Sequence, residues 1–328
     1  DFHIHSVFSD GTVWPSIRVQ EALRENLDAI SLTEHLEYQP HKSDIPHPDR
    51  NRAHDIALKE AENHGLLIIR GSEITRASPV GHNNAIFIKD ANPILQEAAE
   101  DAFKEAKKQG AFVFLNHPAW YVQQPNGTPA LSAFQKERIA KDELHGIEVI
   151  NTGDYSEEAL QIALDNNLTI MGTSDVHDLI DWDYTENAQH RPITLVFAKE
   201  KTEASLLDAL KNGRTVAVFN DLLVGKSEFL TPLIKASVTA KDLKYIGKTQ
   251  VLSVTLHNHS SSDLLFENQM PFSLYRHSPV FTIPAKDSVT LQIKTLERKD
   301  RMVLSLKALG AFTAPKVQPI IEWTLPID

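Results

Sequence analysis

His3 and His5 stand one residue apart, Asp10 follows in Ser9-Asp10-Gly11, and side chains of the same two kinds return at His35, Glu73, His82, His117, Asp175 and His177. Imidazole nitrogen and carboxylate oxygen are ligands for zinc, manganese or iron, and affinity order alone does not choose among these metals. On a strand, His3 and His5 leave the same face and can grip one cation, and Asp175 and His177 repeat the spacing. The ordinary explanation of an isolated His-x-His is an exposed polar strand face. His257 and His259, which have no acidic motif nearby, take that explanation. The first pair differs in its company. Thr33-Glu34-His35 ends an apolar run, where a histidine without partners would cost about 1–3 kcal/mol in desolvation. Glu73 follows Leu66-Leu67-Ile68-Ile69, and His117 stands beyond Phe112-Val113-Phe114-Leu115. Glu73, with two oxygens, is suited to bridge two cations.

The elements that must position these groups are short β-branched runs alternating with amphipathic stretches. Strand candidates are Phe2–His5, Asp28–Thr33, Leu66–Glu73, Asn84–Ile88, Ala111–Asn116, Gly146–Ile150, Thr169–Thr173 and Pro192–Phe197. Helical patterns lie at Pro15–Asn26, Pro48–His64, Pro93–Gln109, Leu131–Lys141 and Ser156–Asn166, several opened by Pro or Ser. Such alternation predicts parallel strands with crossover helices closed into a barrel, whose functional residues follow the carboxyl ends of the strands. His82 opens its run instead of ending it, as in an antiparallel strand, so the barrel is expected to be irregular.

After about residue 225 the periodicity becomes two. Leu252-Val254-Leu256, Val289-Leu291-Ile293, Met302-Leu304-Leu306 and Ile321-Trp323-Leu325 alternate with polar residues. This predicts an immunoglobulin-like antiparallel β-sandwich over 225–328, appended to an α/β domain over 1–224.

Composition narrows the function. The 328 residues carry 33 basic and 44 acidic side chains, a formal charge of −11, which opposes attraction to nucleic-acid polymers or anionic lipid. A small phosphorylated molecule is the better partner, since bound cations make one pocket attractive to anions. There is no cysteine, which removes disulfides, thiolate ligands and cysteine nucleophiles. No apolar run approaches the roughly 18 residues of a membrane span, so no membrane insertion is expected. The chain lacks an initiator Met and starts close to its first ligand, which leaves room for a removed upstream segment. A sandwich on a hydrolase suggests, by analogy alone, an extracytoplasmic enzyme, with the cytoplasm as the other compartment.

The motifs from His3-Ile4-His5 through Ser9-Asp10-Gly11, with Thr33-Glu34-His35, Gly71-Ser72-Glu73, Asn116-His117-Pro118 and Ser174-Asp175-Val176-His177, resemble the PHP family, named for polymerase and histidinol phosphatase domains. The resemblance covers roughly residues 1–220. It implies a distorted seven-stranded (β/α) TIM-like barrel that holds two to three divalent metal ions and hydrolyses phosphoesters. Carried over by position, it implies a first metal on His3, His5, Glu73 and Asp175. Glu73 would bridge to a second metal completed by His82 and His117, with a third on Asp10, His35 and His177. Many members read Thr-Asp-His where this chain has Thr33-Glu34-His35.

Two such cations would lower the pKa of a bridging water toward about 7 and polarise the phosphoryl oxygens. The resulting hydroxide would attack phosphorus, and no side chain need be the nucleophile. Arg191 and Arg76 are candidates to clamp phosphate through bidentate hydrogen bonds, with surface ion pairing the other explanation for each. The loops Tyr38–Arg52 and Ala119–Pro129, the latter with Trp120 and Tyr121, are placed to contact substrate. The expected activity is a metal-dependent phosphoesterase acting on a small phosphorylated metabolite, possible nucleotides included. Its rivals are amide or lactone hydrolysis on the same metals, and a binding protein led by the sandwich.

Overall fold

The computed structural model describes residues 1–184 and 190–327. Two compact units divide the chain, Asp1–Phe219 and Asn220–Asp328. No helix among the described residues is long and apolar enough to cross a membrane.

In the first unit, backbone hydrogen bonds link successive stretches side by side. Thr33 N donates to Ile4 O at 2.8 Å, joining the N-terminal stretch to the segment around Ala29–Ile30. That strand pairs in parallel with Leu67–Ile68, and a parallel bridge joins His35 to Glu73. Gly71–Thr75 pairs with His82–Ile86, which pairs with Phe112–Leu115. Phe112–Leu115 runs parallel to Gly146–Asn151, and this strand parallel to Thr169–Thr173. Beyond that last strand, a parallel bridge joins Val176 to Ile4, and His5 N donates to Val176 O at 3.0 Å. The hydrogen bonding thus returns to its starting stretch.

Two features depart from an all-parallel order, and the first is the irregularity that the position of His82 predicts. His82–Ile86 runs antiparallel to both of its neighbours. The connection over residues 76–81 is too short for a crossover helix, so the chain turns back as a hairpin. The run expected at 192–197 forms Ile193–Val196, which pairs antiparallel with Thr215–Phe219.

Local chemistry explains the individual elements. Phe112–Leu115 is buried along its whole length, as a strand covered on both faces must be. Helix Ala99–Lys108 carries Glu100 and Asp101 in its first turn and Lys107 and Lys108 in its last, complementing its dipole, and buries Ala102, Phe103 and Ala106. Helix Ala133–Ala140 begins at Ser132, which accepts from Gln135 N while the Gln135 side chain accepts from Ser132 N. Helices Glu157–Asp165 and Glu203–Lys211 are capped by the hydroxyls of Ser156 and Thr202.

The second unit opens with strand Leu222–Gly225, paired in parallel with Ala311–Phe312, and continues into helix Ser227–Ser237, an element that period-two reasoning does not reveal. One sheet then orders Val238–Tyr245, Val251–Asn258 and Ser288–Lys294, and another orders Val280–Ile283, Leu264–Asn268, Arg301–Ala308 and Ile320–Pro326. These pairings are antiparallel. Leu252, Val254, Leu256, Leu291, Ile293, Leu304 and Leu306 are buried, so the alternating residues form the core between the sheets.

Candidate metal centre

The first ligand motif depends on a tight backbone. A Cβ on Gly11 would meet the His5 carbonyl carbon at 2.9 Å, so glycine lets the Ser9-Asp10-Gly11 turn fold back against His5. Glu34 holds the same turn: it accepts from Ser6 N at 3.1 Å, from Ser9 Oγ at 2.5 Å and from Ser6 Oγ. Burial raises the pKa of Glu34, while its bonds to Ser6 and Ser9 pull it down. The glutamate of Thr33-Glu34-His35 therefore positions the turn that presents Asp10.

All nine candidate ligands fall into four overlapping groups whose ligand atoms lie within 4.8 Å of one another. The groups are His5, Asp10, His35 and His177; His3, Glu73 and His117; His3, His5 and Asp175; and His35, Glu73 and His82. This sharing differs from the sets that the family resemblance implies. His5 joins Asp10, His35 and His177, and His82 and His117 fall in separate groups, each with Glu73.

Proton positions make the cluster a metal site in character. His3 Nδ1 lies 2.7 Å from Glu148 Oε1. A carboxylate only accepts, so Nδ1–H is the donor in the neutral ring and the lone pair sits on Nε2. That Nε2 is 3.0 Å from His5 Nε2, 3.0 Å from Glu73 Oε2 and 3.0 Å from Asp175 Oδ1. Lone pairs facing one another at this distance require a cation among them, either protons or a metal ion. His177 is oriented in the same way, its Nδ1 donating to Asp175 O at 2.7 Å and its Nε2 lying 3.2 Å from Asp10 Oδ1. Buried His117 Nδ1 makes no hydrogen bond with described residues, and Asp10 Oδ1 and His82 Nδ1 have other candidate ligands as neighbours, His177 and His35 for the first and Glu73 for the second. These donors fit a divalent cation.

The electrostatics agree. Burial pulls the His3 pKa down, but Asp175 and Glu148 hold it well above the ordinary imidazole value. Burial likewise opposes the rise of His35, which Glu73 and Asp10 push up to about 10. His5 is lowered to about 3 by burial and by His35 and His177. Against the opposing effect of burial, neighbouring histidines hold Glu73 and Asp175 well below the usual carboxylate range. Two candidate ligands also carry left-handed backbone, His117 at φ 27° and Asp175 at φ 54°. Such conformations cost about 1–3 kcal/mol and persist where surrounding contacts fix them.

Glu148, absent from the sequence expectations, supplies one of those contacts. Besides His3, its oxygens accept from Thr173 Oγ1 at 2.5 Å, His117 N at 2.5 Å and Asn151 Nδ2 at 2.9 Å. One carboxylate thus orients the ring of one candidate ligand and the backbone of another. Its signal in the sequence was a lone acid inside the apolar strand Gly146–Asn151. Glu148→Gln is expected to weaken zinc or manganese affinity about 10–100-fold, the usual effect of losing a group that orients a ligand, as measured by competition with a chelating dye.

Neither arginine proposed for phosphate takes that position. Arg191 is buried, with Nε 2.6 Å from Glu25 Oε2 and Nη1 3.2 Å from Asp1 Oδ2. Arg76 pairs with Glu37 at 2.8 Å and donates to Gln96 O and Glu97 O. Both guanidiniums are engaged by internal partners, and neither lines the cavity at the cluster. Arg191→Met is expected to destabilise the first unit by about 3–5 kcal/mol, because Asp1 and Glu25 lose their partner. Thermal unfolding reads this.

That cavity encloses about 800 Å³ and is walled by Asp10, His35, His82, His117, Asp175 and His177 together with residues of the aromatic loop, Trp120 and Tyr121. Tyr38 also lines it, whereas His47, from the same loop, turns inward with Nε2 2.6 Å from Phe8 O. In the second unit the rings of His257 and His259 stack 5.7 Å apart, and His259 bonds Thr239. These two belong to no candidate metal group among the described residues.

Comparison with known proteins places the chain. Residues 238–324 match the model of an Ig-like domain family, DUF5001. A solved two-domain protein from Bacteroides vulgatus, containing a predicted PHP-like metal-dependent phosphoesterase, is 40% identical with a TM-score of 0.91, and the match covers 100% of this chain and 94% of that one. An amidohydrolase from Chromobacterium violaceum is 16% identical with a TM-score of 0.41, over 54% of this chain and 87% of that one. A Roc-COR-CHAT protease from an unknown prokaryotic organism is 30% identical over 107 residues, 32% of this chain but only 10% of that protein. With full-length similarity to a two-domain PHP-like protein and an Ig-like C-terminal region, the chain belongs to the PHP (polymerase and histidinol phosphatase) family.

Proposed function

We propose that residues 1–224 form a distorted seven-stranded barrel that hydrolyses phosphoesters of small metabolites with two to three divalent cations, and that residues 225–328 are an accessory sandwich. Zinc and manganese suit the imidazole and carboxylate donors best, and iron is compatible. The observation that carries the reading is the reach of Glu73. Its Oε2 lies 3.0 Å from His3 Nε2, while its Oε1 lies 2.8 Å from His35 Nδ1 and 2.9 Å from His82 Nδ1. One carboxylate therefore faces two sets of imidazoles, the arrangement expected of a group shared by neighbouring cations.

His3, His5, Glu73 and Asp175 would hold one cation, with His82, His117, Asp10, His35 and His177 completing the others. Divalent cations in such a site supply Lewis acidity toward a phosphoryl oxygen and acidify water near neutral pH. The chain's own contribution is placement. Glu148 and the Asp175 carbonyl fix which nitrogens of His3 and His177 remain free to ligate. Trp120 limits water on one side, with its ring 5.4 Å from that of His82 and 5.1 Å from that of His117.

Purified protein reconstituted with zinc or manganese is expected to release phosphate or alcohol from aryl phosphomonoesters, phosphodiesters or a nucleotide panel. Absence of turnover on all of them, with amide or lactone cleavage in its place, would transfer the same cluster to a different hydrolysis.

A further inference from the structure

The cavity wall beyond the ligands has an unusual charge. Among the described residues that line it there is no lysine or arginine, and its only basic side chains are the candidate ligand histidines. Asp154 and Glu148 add carboxylates to the lining. Glu148 is saturated by its four donors, but Asp154 is exposed. It stands on the strand Asp154–Tyr155, where its partner is Asn151, so the hairpin between them presents an acid to the space beside the cluster.

The same wall has aromatic surface to offer. Trp120, Tyr121 and Tyr38 are 37%, 72% and 52% exposed, and all line the cavity. Trp120 is held in place, with its backbone amide donating to His117 O at 2.9 Å and its indole against two candidate-ligand imidazoles. Tyr38 lies 5.9 Å, ring to ring, from His35. A group attached to a phosphoryl centre at the cluster therefore meets aromatic faces within about one ring's width. These faces attract flat rings and cations.

Metal cations can balance a phosphate at the cluster, but no fixed side chain in the described lining balances a second anion further out. Asp154 repels one. We propose that the cavity takes a phosphoester with a single phosphate on a ring-bearing organic group that is neutral or cationic, and that it discriminates against substrates carrying another anionic group. The inference names the substrate class and rests on the phosphoester reading given above.

Benzylphosphonates keep phosphorus and cannot be hydrolysed, so they test the wall without requiring turnover. Calorimetric titration of the zinc-loaded full chain with three of them, bearing para aminomethyl, carboxamide or carboxylate groups, is expected to rank the carboxylate weakest by about tenfold or more. Asp154→Asn should narrow that gap, and Trp120→Ala should weaken all three by about tenfold. Equal or tighter binding of the carboxylate, an unchanged gap in Asp154→Asn, or no binding by any of the three overturns the inference. Turnover of the matching benzyl phosphates is scored separately. If the phosphonates bind in the expected order and the phosphates are not cleaved, the phosphoesterase reading fails while the charge and ring selectivity of the wall stands.

Discussion

Glu73→Gln is expected to lower turnover by the metal-loaded protein more than about 100-fold and to reduce its metal content, with the fold retained. The effect should exceed the about 10–100-fold cost of losing a group that merely orients a ligand, because Glu73 itself faces two sets of imidazoles. Glutamine has nearly the same volume, so the buried space stays filled. It lacks the negative charge, however, and its NH2 end cannot donate a lone pair to a cation. Asn116 Nδ2, which donates to Glu73 Oε2 at 3.1 Å, also selects for an acceptor there. Elemental analysis and kcat/KM on the same preparation separate the possibilities. Full metal content with full turnover would remove Glu73 from its proposed role. Lost turnover with full metal content would show that the carboxylate acts on the reaction more than on retention of the cations.

The residues that make this prediction possible could be read from the chain because each carries its signal locally. His3 and His5 alternate on one stretch, His117 directly follows an apolar strand, and Asp175 and His177 repeat the first spacing. The sandwich was legible for a similar reason, since Leu252, Val254 and Leu256 reveal a buried face at period two. Other features needed coordinates. Glu148 looks like one acid among many until its carboxylate is seen to meet His3 and His117, more than 30 residues away in each case. The two arginines failed as phosphate clamps because sequence shows charge but not pairing: Arg191 is neutralised by Asp1 and Glu25, which are remote in the chain. Strand direction at His82–Ile86, by contrast, was signalled by His82 opening its run instead of ending it. There a short connection, with Gly81 at φ +77°, decides between a crossover and a hairpin.

Chelation is expected to lower the unfolding temperature of the first unit by about 8–16 °C relative to protein with saturating zinc or manganese. A ligand present at about a thousand times its Kd and bound only by the folded state adds about 4 kcal/mol, and each kcal/mol moves a unit of this size by roughly 2–4 °C. The ligand atoms come from stretches that meet only on folding, so the unfolded chain has no equivalent site. The imidazoles are also crowded, with the His5 ring 4.4 Å from His35 and 4.3 Å from His177. The difference should widen as pH rises. Without metal, His35 is held up to about 10 by Glu73 and Asp10 against the effect of burial, so its protonated form stabilises the fold. That contribution is complete below the unfolded imidazole value near about 6.5 and is lost as pH climbs through the folded value. A metal ion takes the proton's place and suffers no such loss, and its binding releases protons. Melting curves at several pH values, with chelator and with metal, check both parts. Coincident curves would mean that the acids and imidazoles of the cluster hold no cation.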